Sequence, residues 1–149
     1  MVWEQESPLV IMLTTVVERG RVKCHKYWPD LDSTVLYGSI SVTCTKEENK
    51  DSFSFRDFTL VEVESGTERL VSQMQYLSWP DHGTPSDTVE FVEFVENVRD
   101  TREKAATVAP TIVHCRYGRD TCYSTNSVSI IFDWIFRTEL IFVANFNRF

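Results

Sequence analysis

At 149 residues the chain has the length of one domain and little room for two. It is 42% hydrophobic and 25% charged, so it carries enough apolar surface to fold, and global disorder is excluded. A formal net charge of −7 excludes sequence-independent binding to nucleic acid or to an anionic membrane, both of which reward clustered Lys and Arg. An acidic chain that binds an anion must do so through one local nest of amides and cations. The charge is uneven: residues 1–113 hold 11 Lys and Arg against 19 Asp and Glu, while residues 114–149 hold 4 against 3. Six of the 19 aromatic residues fall within 126–149, which reads as a different kind of sequence.

Leu9 to Leu13 is a continuous apolar run bounded by Pro8 and Thr14-Thr15, which predicts a strand buried on both faces. Leu36 to Cys44 places Ile40, Val42 and Cys44 on one side and predicts a half-buried strand. The polar cluster from Lys46 to Ser52 then predicts a hairpin loop. Phe53, Phe55, Phe58, Leu60 and Val61 resume strand character, and Glu64-Ser65-Gly66-Thr67 predicts a turn before a strand over 70–77. Asp87-Thr88-Val89-Glu90 is a capping box, and Phe91, Phe94, Val95 and Val98 follow at helical spacing with Glu93, Glu96, Asp100 and Glu103 opposite. A short apolar strand, Pro110 to His114, then ends abruptly at Cys115. Strands, helix and strand again predict an α/β (α+β) fold with a mixed sheet. Ile130, Ile131, Trp134, Ile135, Thr138, Ile141 and Phe142 have helical spacing, and the alternative reading of this stretch is an out-of-frame or unspliced translation product.

The four cysteines, Cys24, Cys44, Cys115 and Cys122, have no disulfide-framework spacing, and Met1 to Glu6 lacks the basic and apolar regions of a signal peptide. Reduced thiols in a cytoplasmic compartment are expected. No CxxC pair occurs, so neither Cys24-His25 nor His114-Cys115 points to zinc, and no metal is expected. Asp133, Arg137 and Glu139 interrupt the apolar stretch from Val128 to Ala144 and argue against a membrane span.

A strand that ends in a cysteine and continues into a glycine-containing loop suits one chemistry. If the loop turns its amides inward ahead of a helix, the thiol sits at a positive dipole end and loses its proton easily. A thiolate cupped by amides is both nucleophile and anion trap, which suits a phosphate monoester with its three non-bridging oxygens. The leaving oxygen then needs an acid. Asp81, in the segment Trp79-Pro80-Asp81-His82-Gly83-Thr84-Pro85, is the candidate, because Trp, Pro and Gly suit a hinged, desolvating lid.

The segments Met1-Val2-Trp3-Glu4-Gln5, Met12-Leu13-Thr14-Thr15, Glu18 to Pro29, Trp79 to Pro85 and Val113-His114-Cys115 resemble consecutive landmarks of a protein tyrosine phosphatase domain, in order and spacing, over residues 1 to about 115. In detail they are similar to the non-receptor subgroup whose members carry band-4.1 and PDZ domains elsewhere in the chain. The resemblance implies a partial phosphatase fold over 1–121, a mixed twisted sheet flanked by helices, with a tail over 122–149 outside the family pattern. It implies Cys115 as the nucleophile that forms a phosphocysteine, and Asp81 as acid and then base. Trp79 and Pro80 would define the closing loop, His114 would precede the nucleophile, and Gly118 and Arg119 would lie in the substrate-binding loop. Glu18 and Lys23 would buttress the site, though a solvated surface pair is the equal alternative. Phosphotyrosine-containing proteins are the implied partners, with no cofactor. By the resemblance, the family's domain also extends beyond both ends of this chain, with its phosphotyrosine-recognition loop ahead of Met1.

The pattern departs at the cradle. The family reads His-Cys-Ser-Ala-Gly-x-Gly-Arg-Ser/Thr-Gly, whereas this chain reads His114-Cys115-Arg116-Tyr117-Gly118-Arg119-Asp120-Thr121-Cys122. Thr121 stands where the family's arginine would make a bidentate fork to two phosphoryl oxygens, and Asp120 brings a negative charge to the dianion's place. Arg119 could substitute only by shortening the ring of amides. The expectation is a chain without useful turnover. Three readings stay open: an active phosphatase, a pseudophosphatase that binds phosphotyrosine or a protein partner, and a truncated product without function.

Overall fold

The computed structural model describes residues 1–79, 88–115 and, as backbone, 140–143. Its centre is β1 (Leu9–Met12), every residue of which is buried. The reason is its position. β1 lies between β7 (Glu68–Tyr76) and β8 (Thr111–His114), parallel to both, and is covered on both faces, so a continuous apolar run is what the environment demands.

From β1 the sheet extends through β7 into an antiparallel meander: β6 (Phe53–Glu62), β5 (Ile40–Asn49) and β4 (Thr34–Tyr37). On the other side β8 pairs in parallel with β9 (Leu140–Val143). The seven-stranded order is β4-β5-β6-β7-β1-β8-β9, a mixed sheet. A separate two-stranded ribbon, β2 (Val17–Glu18) and β3 (Arg21–Val22), follows β1. One helix, α1 (Thr88–Lys104), lies among the described residues between β7 and β8.

The alternation of strand residues sorts the core into two clusters. On one face Val10 and Met12 of β1 join Val42, Cys44, Phe58, Leu60, Val71 and Ile112 beneath Tyr27 and Trp28. On the other, Leu9, Ile11, Leu13, Val113 and Cys115 meet the Phe94, Val95 and Val98 stripe of α1, together with Phe53, Met74 and Tyr76. The helix stripe is therefore core, as its spacing predicts, and each fully buried side chain of this size contributes about 1.5–3 kcal/mol.

Three sequence expectations are corrected. Leu36 to Cys44 is two strands, because Gly38 at φ 64° turns the chain between Tyr37 and Ile40, which pair with each other. The polar run after Cys44 continues β5 to Asn49 past an irregularity at Thr45; Lys46 and Glu48 project from the sheet while Glu47 binds Arg56 of β6. In the tail, Ile141 and Phe142 lie in a strand despite their helical spacing, because parallel pairing with Ile112 and Val113 satisfies the open edge of β8. The other residues of that helical pattern lie outside the described residues, as does the helix cap at Asp87.

Candidate functional site

The parallel half of the sheet sets the site's location. Met12 stands beside Gln75 on one side and His114 on the other, and the Leu13 amide donates to the His114 carbonyl at 2.9 Å. The carboxyl ends of β7, β1 and β8 therefore share one edge, the usual place for a ligand in an open α/β sheet. Three segments leave from that edge: the one that reaches Trp79 after β7, the Thr14-Thr15 turn after β1, and Cys115 after β8.

Thr14-Thr15 leads into the β2–β3 ribbon. Its turn residues, Arg19 at φ 48° and Gly20 at φ 76°, both adopt the left-handed conformation of a two-residue type I′ hairpin. The hairpin folds Lys23 back so that its amide bonds the Val16 carbonyl at 2.9 Å and its ammonium meets Glu18 at 3.2 Å. Glu18 and Lys23 thus engage each other. Trp79 is half-buried and packs edge-on to Tyr76 and Phe91, so it joins the apolar cluster that also contains Cys115. Pro80, Asp81, Gly118 and Arg119 lie outside the described residues.

His114 and Cys115 point to opposite faces, as strand alternation requires. Cys115 is buried against Leu13 and Val113, and Cys24, Cys44 and Cys115 are all in no disulfide. His114 lies in the other face, where its Nε2 is 2.7 Å from the Tyr27 hydroxyl and its Nδ1 is 3.3 Å from the Cys115 carbonyl. Burial pushes the imidazole pKa down to about 4, and the contact with the Cys115 carbonyl offsets this only in part. Burial likewise holds the Tyr27 phenol far above its ordinary range.

Behind Tyr27 stands a set of buried polar side chains that sequence reasoning did not identify. The Gln73 amide nitrogen donates to the Tyr27 oxygen at 2.7 Å, and Arg56 donates to the side-chain carbonyls of Gln73 and Gln75 at 3.1 and 3.0 Å. The Gln75 amide reaches the Thr14 carbonyl at 2.9 Å. Arg56 itself is held by Glu47 and lies over the Trp28 ring, 4.6 Å from its centroid. Tyr27 stands within the motif that carries the resemblance, but nothing in the residue pattern marks its partners. Gln73 and Gln75 alternate with Met74, which reads as a solvated face; here β7 is covered on both faces from Gln73 to Tyr76.

The described residues contain no group of three or more His, Cys, Asp or Glu able to hold a metal ion, and none of their helices is long and apolar enough to cross a membrane.

The described residues thus form an α/β domain in which a cysteine closes a parallel strand at the carboxyl edge of a mixed sheet, with a buried histidine ahead of it. The chain belongs to the protein-tyrosine phosphatase family, whose model matches residues 1–143. It is 50% identical over 118 residues to tyrosine-protein phosphatase non-receptor type 4 of Mus musculus, covering 79% of this chain and 12% of that protein. It is 46% identical over 118 residues to tyrosine-protein phosphatase 1 of Caenorhabditis elegans, covering 79% of this chain and 11% of that protein. Similarity extends to human receptor-type tyrosine-protein phosphatase eta, at 38% over 118 residues, covering 79% of this chain and 9% of that protein. The chain thus spans about an eighth or less of the length of these relatives.

Proposed function

We propose that this chain is a tyrosine-phosphatase-type domain whose phosphoryl-transfer site is centred on Cys115 and whose turnover has been lost at the loop that follows it. The observation that carries the location is the shared carboxyl edge of β7, β1 and β8, from which Cys115, the Trp79 segment and the Glu18–Lys23 ribbon all leave. In an intact site of this type, the cysteine thiolate attacks phosphorus and the tyrosine oxygen departs with a proton from the acid, here Asp81. Water then attacks the phosphocysteine, giving its proton to the same carboxylate, and inorganic phosphate leaves. The substrates of this reading are phosphotyrosine-bearing proteins, and its compartment is the reducing cytoplasm, where such a thiol persists.

Loss of turnover is supported by the residues after Cys115. Thr121 stands at the position of the arginine fork, and Asp120 opposes a dianion. Removing one preorganised donor from an oxyanion site costs on the order of 10²–10³ in rate, and here donor and charge change together. The test is phosphate release from a phosphotyrosine peptide by the full chain. Release indistinguishable from that of Cys115→Ser is expected. Release within a few-fold of an unaltered relative, abolished by Cys115→Ser, would overturn the proposal.

A further inference from the structure

Four hydrogen bonds in series run from β6 to the peptide that follows β8, and both ends of the series consist of groups that cannot exchange roles. At one end stands Arg56. A guanidinium only donates, so the Gln73 atom 3.1 Å from Arg56 Nη1 is the side-chain oxygen. The other Gln73 atom is then the amide nitrogen, and it donates to the Tyr27 oxygen at 2.7 Å. This assignment does not depend on distinguishing nitrogen from oxygen by position alone. At the other end stands the Cys115 carbonyl, which only accepts, 3.3 Å from His114 Nδ1. The buried ring is neutral at pH 7 and carries one proton, which the carbonyl claims for Nδ1. Nε2 is left with its lone pair toward Tyr27, whose hydroxyl, 2.7 Å away, donates to it. Read from Arg56 the donors are ordered as far as Tyr27, and read from the Cys115 carbonyl they are ordered along the whole series: Arg56 to Gln73, Gln73 to Tyr27, Tyr27 to His114, His114 to the Cys115 carbonyl.

We infer that Arg56 and Gln73 are positioning residues that hold His114 in its Nδ1–H tautomer and, through it, fix the orientation of the Cys115 carbonyl. The source of the direction is well anchored. Arg56 is held by Glu47, by the Gln75 side-chain carbonyl and over the Trp28 face as well as by Gln73. If the series were reversed, the Nδ1 lone pair would face the carbonyl lone pairs and the peptide after Cys115 would have to turn. Because a peptide unit is planar, turning its carbonyl also turns the amide that opens the loop. A residue in the middle of β7 thereby sets the first peptide of the candidate site without touching any ligand.

This inference rests on the functional reading only in taking Cys115 as the centre of the site. Its test is therefore made without turnover, and the failure of either leaves the other standing. The full chain, ¹⁵N-labelled and carrying His25→Gln and His82→Gln so that His114 is its one histidine, is recorded at pH 7 by two-bond proton–nitrogen correlation. The expected spectrum has the proton on Nδ1 and a pyridine-type Nε2. Gln73→Glu, nearly the same size, offers acceptors to both Arg56 and Tyr27; the Tyr27 hydroxyl then turns to Glu, and the His114 proton is expected on Nε2. A His114 ring protonated on Nε2 in the chain with Gln73 unchanged overturns the inference, and that spectrum decides alone should Gln73→Glu not fold. A folded Gln73→Glu protein that keeps the proton on Nδ1 overturns the role of Gln73.

Discussion

His114 and Cys115 are neighbours in sequence, yet the two faces of β8 hold them by different physics. Cys115 lies on the face of Leu13, Val113 and the α1 stripe, an apolar cluster. His114 sits at the end of a buried series of hydrogen bonds anchored on Arg56, where donor and acceptor identity decide everything. The apolar face should respond to volume and be indifferent to tautomers. The polar face should respond to single atoms that leave volume unchanged. The comparison separates what keeps the strand in the sheet from what orients the peptide at its end.

The largest expected effect lies on the apolar face. Phe94 is fully buried against Phe53, Tyr76 and the β1 residues, so Phe94→Ala should cost about 3–5 kcal/mol through lost transfer energy and the cavity left behind. Urea denaturation at pH 7 checks it, and a cost under about 1 kcal/mol would mean that the helix does not hold this face.

The next effect belongs to the polar face and depends on pH. His114 refuses a proton until about pH 4, whereas an unfolded imidazole takes one near 6.5. Between those values the unfolded chain binds more protons, so stability is full above pH 6.5 and falls as pH drops toward 4. The loss is on the order of 3 kcal/mol, and it levels off below the folded pKa. Denaturation midpoints across pH 7 to 4 should show this slope in the wild type and not in His114→Gln; equal slopes in both would place the titration elsewhere.

A smaller effect is expected from Tyr27→Phe, which removes one oxygen and almost no volume. The Gln73 amide loses its acceptor and His114 Nε2 its donor, at a cost of about 1–3 kcal/mol. An unchanged denaturation midpoint would break the comparison, because it would show the polar face to be as tolerant as a solvated one. Least of all should change on Glu18→Gln in the β2–β3 ribbon. The Glu18 side chain is 29% exposed and its partner Lys23 15%, so a loss within about 1 kcal/mol is expected by thermal melting.

Much of the scaffold is legible in residue pattern because burial imposes pattern. Leu9 to Leu13 has no polar position because neither face of β1 meets water, and Phe91, Phe94, Val95 and Val98 keep helical spacing because α1 covers one side of the sheet. The strand that ends at Cys115 is legible for the same reason. The Tyr37–Ile40 turn is hidden because an uncharged stretch from Ser33 to Cys44 reads as a single strand, with only Gly38 to interrupt it. The β5 extension is hidden because Lys46, Glu47 and Glu48 look like loop, although one of them serves a buried arginine. The relay is hidden for a deeper reason. Polar residues that alternate with apolar ones imply a wet face, and only the tertiary cover of Tyr27 and Trp28 turns Arg56, Gln73 and Gln75 inward. Cys115 and His114 are named by their place at a strand end, whereas the atoms that orient them lie 41 to 87 residues earlier in the chain and share no motif with them.

The central claim is that an ordered positioning scaffold leads into a loop that no longer cradles a phosphoryl dianion. Its most direct test is protection of Cys115 from iodoacetamide by vanadate, followed by mass spectrometry of the peptide that contains it. The account predicts the same rate of Cys115 alkylation with and without vanadate in the full chain. Alkylation that vanadate suppresses, with the suppression lost on Cys115→Ser control of total label, would show a working anion cradle and contradict it.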